Sequence, residues 1–225
     1  MMATVAICGD SFFDFDDRFP DIHWRDKLSD QHKIYTLARG GASNFTIGVQ
    51  IYQCLQFNPS MVFISFTTLP RIEFIKDQDS ITRLNSQLLT ESKDPEEFIW
   101  GLRDCNFKSY DHALPNHNHD KLLEWMPWYI EELEIVKNYF YIISALAMLK
   151  NKKIPFYFSL GGFEEHANKT YLQVPITFEE FQKENILPNS HLFSIIHREP
   201  WFHITDKNWH NDFANLAEQL IKENS

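Results

Sequence analysis

Apolar residues come in short, nearly unbroken runs, separated by stretches with helical spacing. That alternation is expected of a parallel α/β sheet buried on both faces. TVAIC at positions 4–8, closed by Gly9, predicts a buried first strand. HWRDKLSDQ (23–31) predicts a short helix, and KIYTLA (33–38) a second strand ended by Arg39-Gly40-Gly41. Ser43 or Asn44 can cap the next helix, with Ile47, Ile51 and Leu55 on its inner face. MVFISFTT (61–68), after Asn58-Pro59, predicts a third strand, and IPFYFSL (154–160), ended by Gly161-Gly162, a later one. A long helix is expected from about Pro127 to Lys150, and a final helix from about Asp206 to Glu223. The acidic, aromatic stretch FFDFDDRFPD (12–21), broken by Pro20, reads as a loop.

Two stretches break the rhythm. Residues 69–125 are polar with scattered aromatics and are expected to form helices and loops over the sheet edge; residues 163–200 read as irregular. With no internal repeat and no low-complexity tract, residues 1–225 read as one domain carrying these two insertions. The expected fold is a three-layer α/β/α sandwich with a mostly parallel sheet.

Composition narrows the function. The formal net charge of −10 disfavours non-specific binding to nucleic acid or to an anionic membrane surface. No apolar stretch is long enough to span a bilayer. The opening MMATVAICGDSFF has neither a basic n-region nor a small-residue cleavage site, so no classical signal peptide is expected. Cys8, Cys54 and Cys105, odd in number and irregularly spaced, suit a reducing compartment such as the cytoplasm better than a disulfide framework. Glycine is scarce, 7 in 225 residues, so each is expected at a backbone position that other residues cannot fill. Most follow candidate strands, where open α/β folds build their sites.

Three segments carry candidate chemistry. Gly9-Asp10-Ser11 places a hydroxyl at the carboxyl edge of the sheet, but a serine is inert without a base. In FHITDKNWHNDFANLAEQLI, the stripe Phe213, Leu216, Ala217, Leu220 and Ile221 marks the buried face of the last helix. Projected backwards at about 100° per residue, Asp206 and His210 fall within about 60° of Phe213. They then lie one turn apart, where a carboxylate can orient an imidazole; the plainer reading is a helix cap and a satisfied semi-buried histidine. Arg39–Asn44 supplies a turn and a helix N-terminus whose amides, with the Asn44 side chain, can receive an oxyanion; the plainer reading is a capped helix start.

Together these segments resemble the SGNH (GDSL-type) hydrolase family, whose nucleophile sits in a G-D-S block after the first strand. Gly9-Asp10-Ser11 matches that block. Gly40–Asn44 resembles the second block, a turn whose Gly donates to the oxyanion, with Asn44 standing where the family usually has Gly. Asp206 and His210 resemble the acid and base before the C-terminal helix. The resemblance spans nearly the whole sheet but neither insertion. It implies a flavodoxin-like sheet and ester hydrolysis through an acyl-enzyme on Ser11. In that scheme His210 is the base and Asp206 its orienting acid, while Ser11, Gly41 and Asn44 bind the oxyanion. The implied substrates are small-molecule or carbohydrate esters, O-acetyl groups included, and no metal or organic cofactor is required.

Two departures stand out. Where the family's third block, G-x-N-D, should fall, this chain reads FTTLPR (66–71), so the usual oxyanion Asn is missing and Asn44, Thr67 or Thr68 would have to donate instead. The final pair is spaced D-x-x-x-H rather than D-x-x-H, which leaves His203, three residues before Asp206, as the alternative base. Thr68, Arg71 and Glu73 fit a Thr-x-x-Arg-x-Glu pattern of some tailed-phage members, which would place the protein in a virion or host cytoplasm. A non-catalytic glycan- or protein-binding module that kept the fold is the competing expectation. His112, His117 and His119 have the chemistry of metal ligands, but without helical register or cysteine support they read as a solvated loop.

Overall fold

The computed structural model describes residues 2–11, 13–14, 23–67, 72–75, 107–110, 131–159, 176–187 and 207–224. In chain order their main elements are β1 (Thr4–Gly9), α1 (Trp24–Ser29), β2 (Lys33–Thr36), α2 (Asn44–Cys54), β3 (Met61–Ser65), β4 (Ile72–Ile75), β5 (Phe107–Tyr110), α3 (Glu131–Lys152), β6 (Phe156–Ser159), α4 (Ile176–Asn185) and α5 (Lys207–Glu223).

β2, β1, β3 and β6 hydrogen-bond in that order into an all-parallel sheet, with Gly9 opposite Ser65 and Ser65 opposite Ser159. Alternation along the strands feeds two separate cores. Ala6, Cys8, Val62, Ile64 and Phe158 pack against Ile47 and Ile51 of α2 and Ile142 and Leu146 of α3. Val5, Ile7, Met61 and Phe63 pack against Trp24 and Leu28 of α1 and Phe213 and Ala217 of α5. With helices on both faces, the central strands β1 and β3 are buried on both sides, which explains why they read as continuous apolar runs, while the edge strand β2 keeps Lys33 exposed. The α/β class and the parallel sheet expected from sequence are therefore observed.

The order β2-β1-β3 creates a switch point. α1 leaves β1 on one face, and α2 leads from β2 to β3 on the other, so the carboxyl ends of β1 and β3 form the switch point at which open α/β folds place a ligand crevice. At the opposite edge a clamp ties the termini together. His32 Nδ1 accepts the Ala3 N–H at 3.2 Å, His32 Nε2 meets Glu218 Oε2 at 2.6 Å, and Lys222 pairs with Glu218 Oε1 at 3.0 Å.

The elements differ from the sequence expectation at three places. The described part of segment 69–125 is a two-stranded antiparallel ladder, β4 with β5 (Ile72 opposite Tyr110), rather than helices and loops. Four-residue strands are too short for a period-2 signal to stand out. The stretch read as irregular at 163–200 contains α4, whose start carries Thr177 three residues before Glu180, the spacing of a capping box. β2 and β3 end at Thr36 and Ser65, earlier than the apolar runs suggest, although Leu37, Ala38 and Phe66 still donate to neighbouring strands. The described part of α3 begins at Glu131; residues 127–130 lie outside the described residues.

Candidate active site

β1 ends in a glycine because the chain permits nothing larger. Gly9 has φ +152°, and a β-carbon there would lie 2.9 Å from both the Cβ and the carbonyl oxygen of Ser65. The Gln50 side chain of α2 grips the same peptide: Oε1 accepts the Gly9 N–H at 2.6 Å and Nε2 donates to the Gly9 carbonyl at 3.2 Å. Next, Asp10 is buried, and its Oδ1 accepts the Ser65 hydroxyl at 3.1 Å. The Asp10 carbonyl accepts the N–H groups of both Phe13 and Asp14 at 3.1 Å, closing a tight turn around Ser11. Ser11 is half-buried on this turn, at the switch point, and among the described residues it has no hydrogen-bonding partner.

The second segment arrives beside it. Arg39 N–H bonds the Gly9 carbonyl at 3.0 Å, which brings the following glycines over the end of β1. A β-carbon at position 40 would lie 3.9 Å from Ser11 Cβ and 3.7 Å from Asp14 Oδ2. The Gly40 N–H donates to that Asp14 oxygen at 2.7 Å, a short bond of the charge-assisted kind. Gly41 has φ +76° and makes the turn. Gly40 is thus packed close to Ser11.

Asn44 holds the segment that follows β3. Its side chain is fully buried, with Oδ1 accepting the Thr67 N–H at 3.0 Å and Nδ2 donating to the Thr67 carbonyl at 3.1 Å. The side-chain oxygen and one Nδ2 hydrogen thus brace the chain after β3, and the Thr67 N–H is engaged in the same pair. Ser43, not Asn44, caps α2, accepting the Thr46 N–H at 3.3 Å.

His210 lies in the first turn of α5, buried against α1. Its Nδ1 accepts the backbone N–H of Trp24 at 3.3 Å, and its ring lies 5.1 Å from that of His23, which itself caps α1. One turn on, Phe213 packs 4.7 Å from Trp24 and 5.8 Å from Phe13, two residues after Ser11. The fold therefore carries His210 to the same aromatic cluster as the Ser11 turn. No hydrogen bond joins the two residues. With Nδ1 accepting from Trp24, a neutral imidazole in this arrangement carries its proton on Nε2.

Asp206, His203, Thr68, Arg71 and the histidines at 112, 117 and 119 lie outside the described residues. Among the described residues no cluster of His, Cys, Asp and Glu is arranged to hold a metal ion, and no helix is long and apolar enough to cross a membrane. Cys8 and Cys54 are both buried free thiols, and burial raises the Cys8 pKa well above the ordinary thiol value, with Cys54 adding to the effect. Such a thiol is inert packing. No protein-family model matches the sequence, and no curated protein is significantly similar to it.

Proposed function

We propose that the protein is a serine esterase that cleaves a carboxylic ester through an acyl-enzyme on Ser11. One observation carries the reading: Ser11 stands on a tight turn off β1 at the switch point of the sheet, with Gly40 packed close beside it. The Ser11 oxygen attacks the ester carbonyl while its proton passes to a histidine. The tetrahedral oxyanion is held by donors from Ser11 and the Gly40–Asn44 turn, with the Gly40 amide beside Gly41 and Asn44 as the candidates. Collapse expels the alcohol, which takes the proton from the imidazolium. Water then attacks the acyl group with the same histidine as base, releasing the acid and restoring Ser11.

The base comes from the segment His203–His210, with Asp206 as its orienting acid. The Trp24 bond favours His203, because His210 could accept a proton only after giving up that contact. Substrates of the O-acetyl type, on a carbohydrate or a small molecule, fit the proposal, which calls for no metal and no organic cofactor. The buried free thiols support action in a reducing compartment such as the cytoplasm, a host's if the protein is viral.

A second reading, a glycan- or protein-binding module on the same fold, is favoured by the commitment of Asn44 and Thr67 to each other, which removes donors a hydrolase could use. A fluorophosphonate probe separates the two. Covalent labelling that disappears in Ser11→Ala supports the esterase; absence of labelling supports the binding module.

A further inference from the structure

Gly40 packs close to Ser11, and its N–H is already engaged. Asp14 Oδ2 accepts it at 2.7 Å, and the same oxygen lies 3.7 Å from where a Gly40 β-carbon would sit, on the side that also faces Ser11 Cβ at 3.9 Å. Asp14 is delivered there by its own backbone. Its N–H bonds the Asp10 carbonyl at 3.1 Å, in the turn that presents Ser11, so nucleophile and carboxylate belong to one rigid unit. A negatively charged oxygen on a backbone N–H beside a serine is chemically what a tetrahedral intermediate would place there.

We propose that Asp14 is an internal occupant of the oxyanion site: in the resting protein its carboxylate holds the Gly40 amide, and an ester must displace it before Ser11 can be acylated. The inference rests on the esterase reading. Asp14 is half-buried and lies outside the sheet strands, so its displacement leaves the strand ladder intact. The Gly40 amide would then be free for a substrate oxygen. Asp14 is accordingly a gating residue and takes no part in the bond-making steps.

The test is the rate at which a fluorophosphonate probe labels the full chain, compared among wild type, Asp14→Ala, Asp14→Asn and each of these combined with Ser11→Ala. Near-UV circular dichroism identifies the folded variants, and the nearly isosteric Asp14→Asn carries the test if Asp14→Ala does not fold. Asp14→Ala is expected to label on the order of tenfold faster than wild type, since one oxyanion donor is worth more than that when fully engaged. Asp14→Asn should give a smaller gain, because an amide oxygen still accepts from Gly40 but without charge. A purely structural tie would act in the opposite direction, since its loss loosens the turn that presents Ser11. Ser11-dependent labelling at the wild-type rate or slower in the folded variants overturns the inference and leaves the esterase standing. No Ser11-dependent labelling in any folded variant overturns both.

Discussion

His210 accepts the backbone N–H of Trp24 at 3.3 Å, which ties the first turn of α5 to the first turn of α1. The bond gives the buried imidazole a structural task, and an Nδ1 that accepts from Trp24 leaves the neutral ring to act as a base only once that contact is released.

Exchange of the two histidines tests that division of labour. His203→Ala is expected to lower turnover of an activated acetyl ester by several orders of magnitude, the usual cost of losing a triad base. His210→Ala is expected to cost mainly stability, about 1–3 kcal/mol for the orphaned Trp24 amide and the emptied space. Steady-state kinetics beside urea unfolding reads both. A large kinetic loss confined to His210→Ala would return the base to that residue.

Asn44→Ala removes two buried hydrogen bonds and leaves both the N–H and the carbonyl of Thr67 without their partner. The expected destabilisation is about 2–4 kcal/mol, from two orphaned groups at roughly 1–3 kcal/mol each with some relaxation. Asn44→Asp keeps the acceptor for the Thr67 N–H and loses the donor to its carbonyl, so it should fall between wild type and Asn44→Ala in chemical denaturation.

Gly9→Ala should be among the most damaging single-methyl additions in the sheet. The new β-carbon would meet Ser65 at 2.9 Å, at a φ of +152° that L-residues rarely adopt. Backbone strain and overpacking together predict a loss on the order of 2–5 kcal/mol. Equilibrium unfolding with an unchanged m-value would assign that loss to the native state.

Acid should weaken the clamp at the far edge of the sheet. Burial pushes the Glu218 carboxyl up, but hydrogen bonds and charge from His32 and Lys222 outweigh it and hold the pKa below the ordinary carboxylate value. A pKa lowered on folding means that Glu218 contributes stability above the unfolded value, about 4.3, and loses it as pH falls through the folded value. The difference in Tm between wild type and Glu218→Gln should therefore be largest near neutral pH and shrink towards pH 3. A difference independent of pH would show that the carboxylate's charge is not what the clamp uses.

The sheet strands and main helices were legible in the sequence because burial on two faces writes itself into uninterrupted runs such as TVAIC and MVFIS, and burial on one face into the stripe from Phe213 to Ile221. Local signals reached less far elsewhere. The Thr177–Glu180 spacing at the start of α4 was present but unaccompanied by a strong apolar period, and β4 and β5 are four residues each, so pairing across the intervening chain creates them rather than local preference.

The sequence by itself determined the α/β class, the parallel character of the strands and the position of Ser11 at a strand's carboxyl end. Those follow from hydrophobic period and from the glycine that only one backbone geometry explains. Tertiary structure alone decided what the polar side chains do. Asn44 and Thr67 are 23 residues apart, Asp14 and Gly40 26, and Trp24 and His210 186, and each pair meets through a single hydrogen bond or two. A hydrogen bond needs its donor and acceptor aligned within a few tenths of an ångström. Apolar burial tolerates substitution and sums over many residues, so its pattern survives in the chain as a period. A directional contact between distant residues leaves no period and becomes visible only once the fold has brought its two ends together.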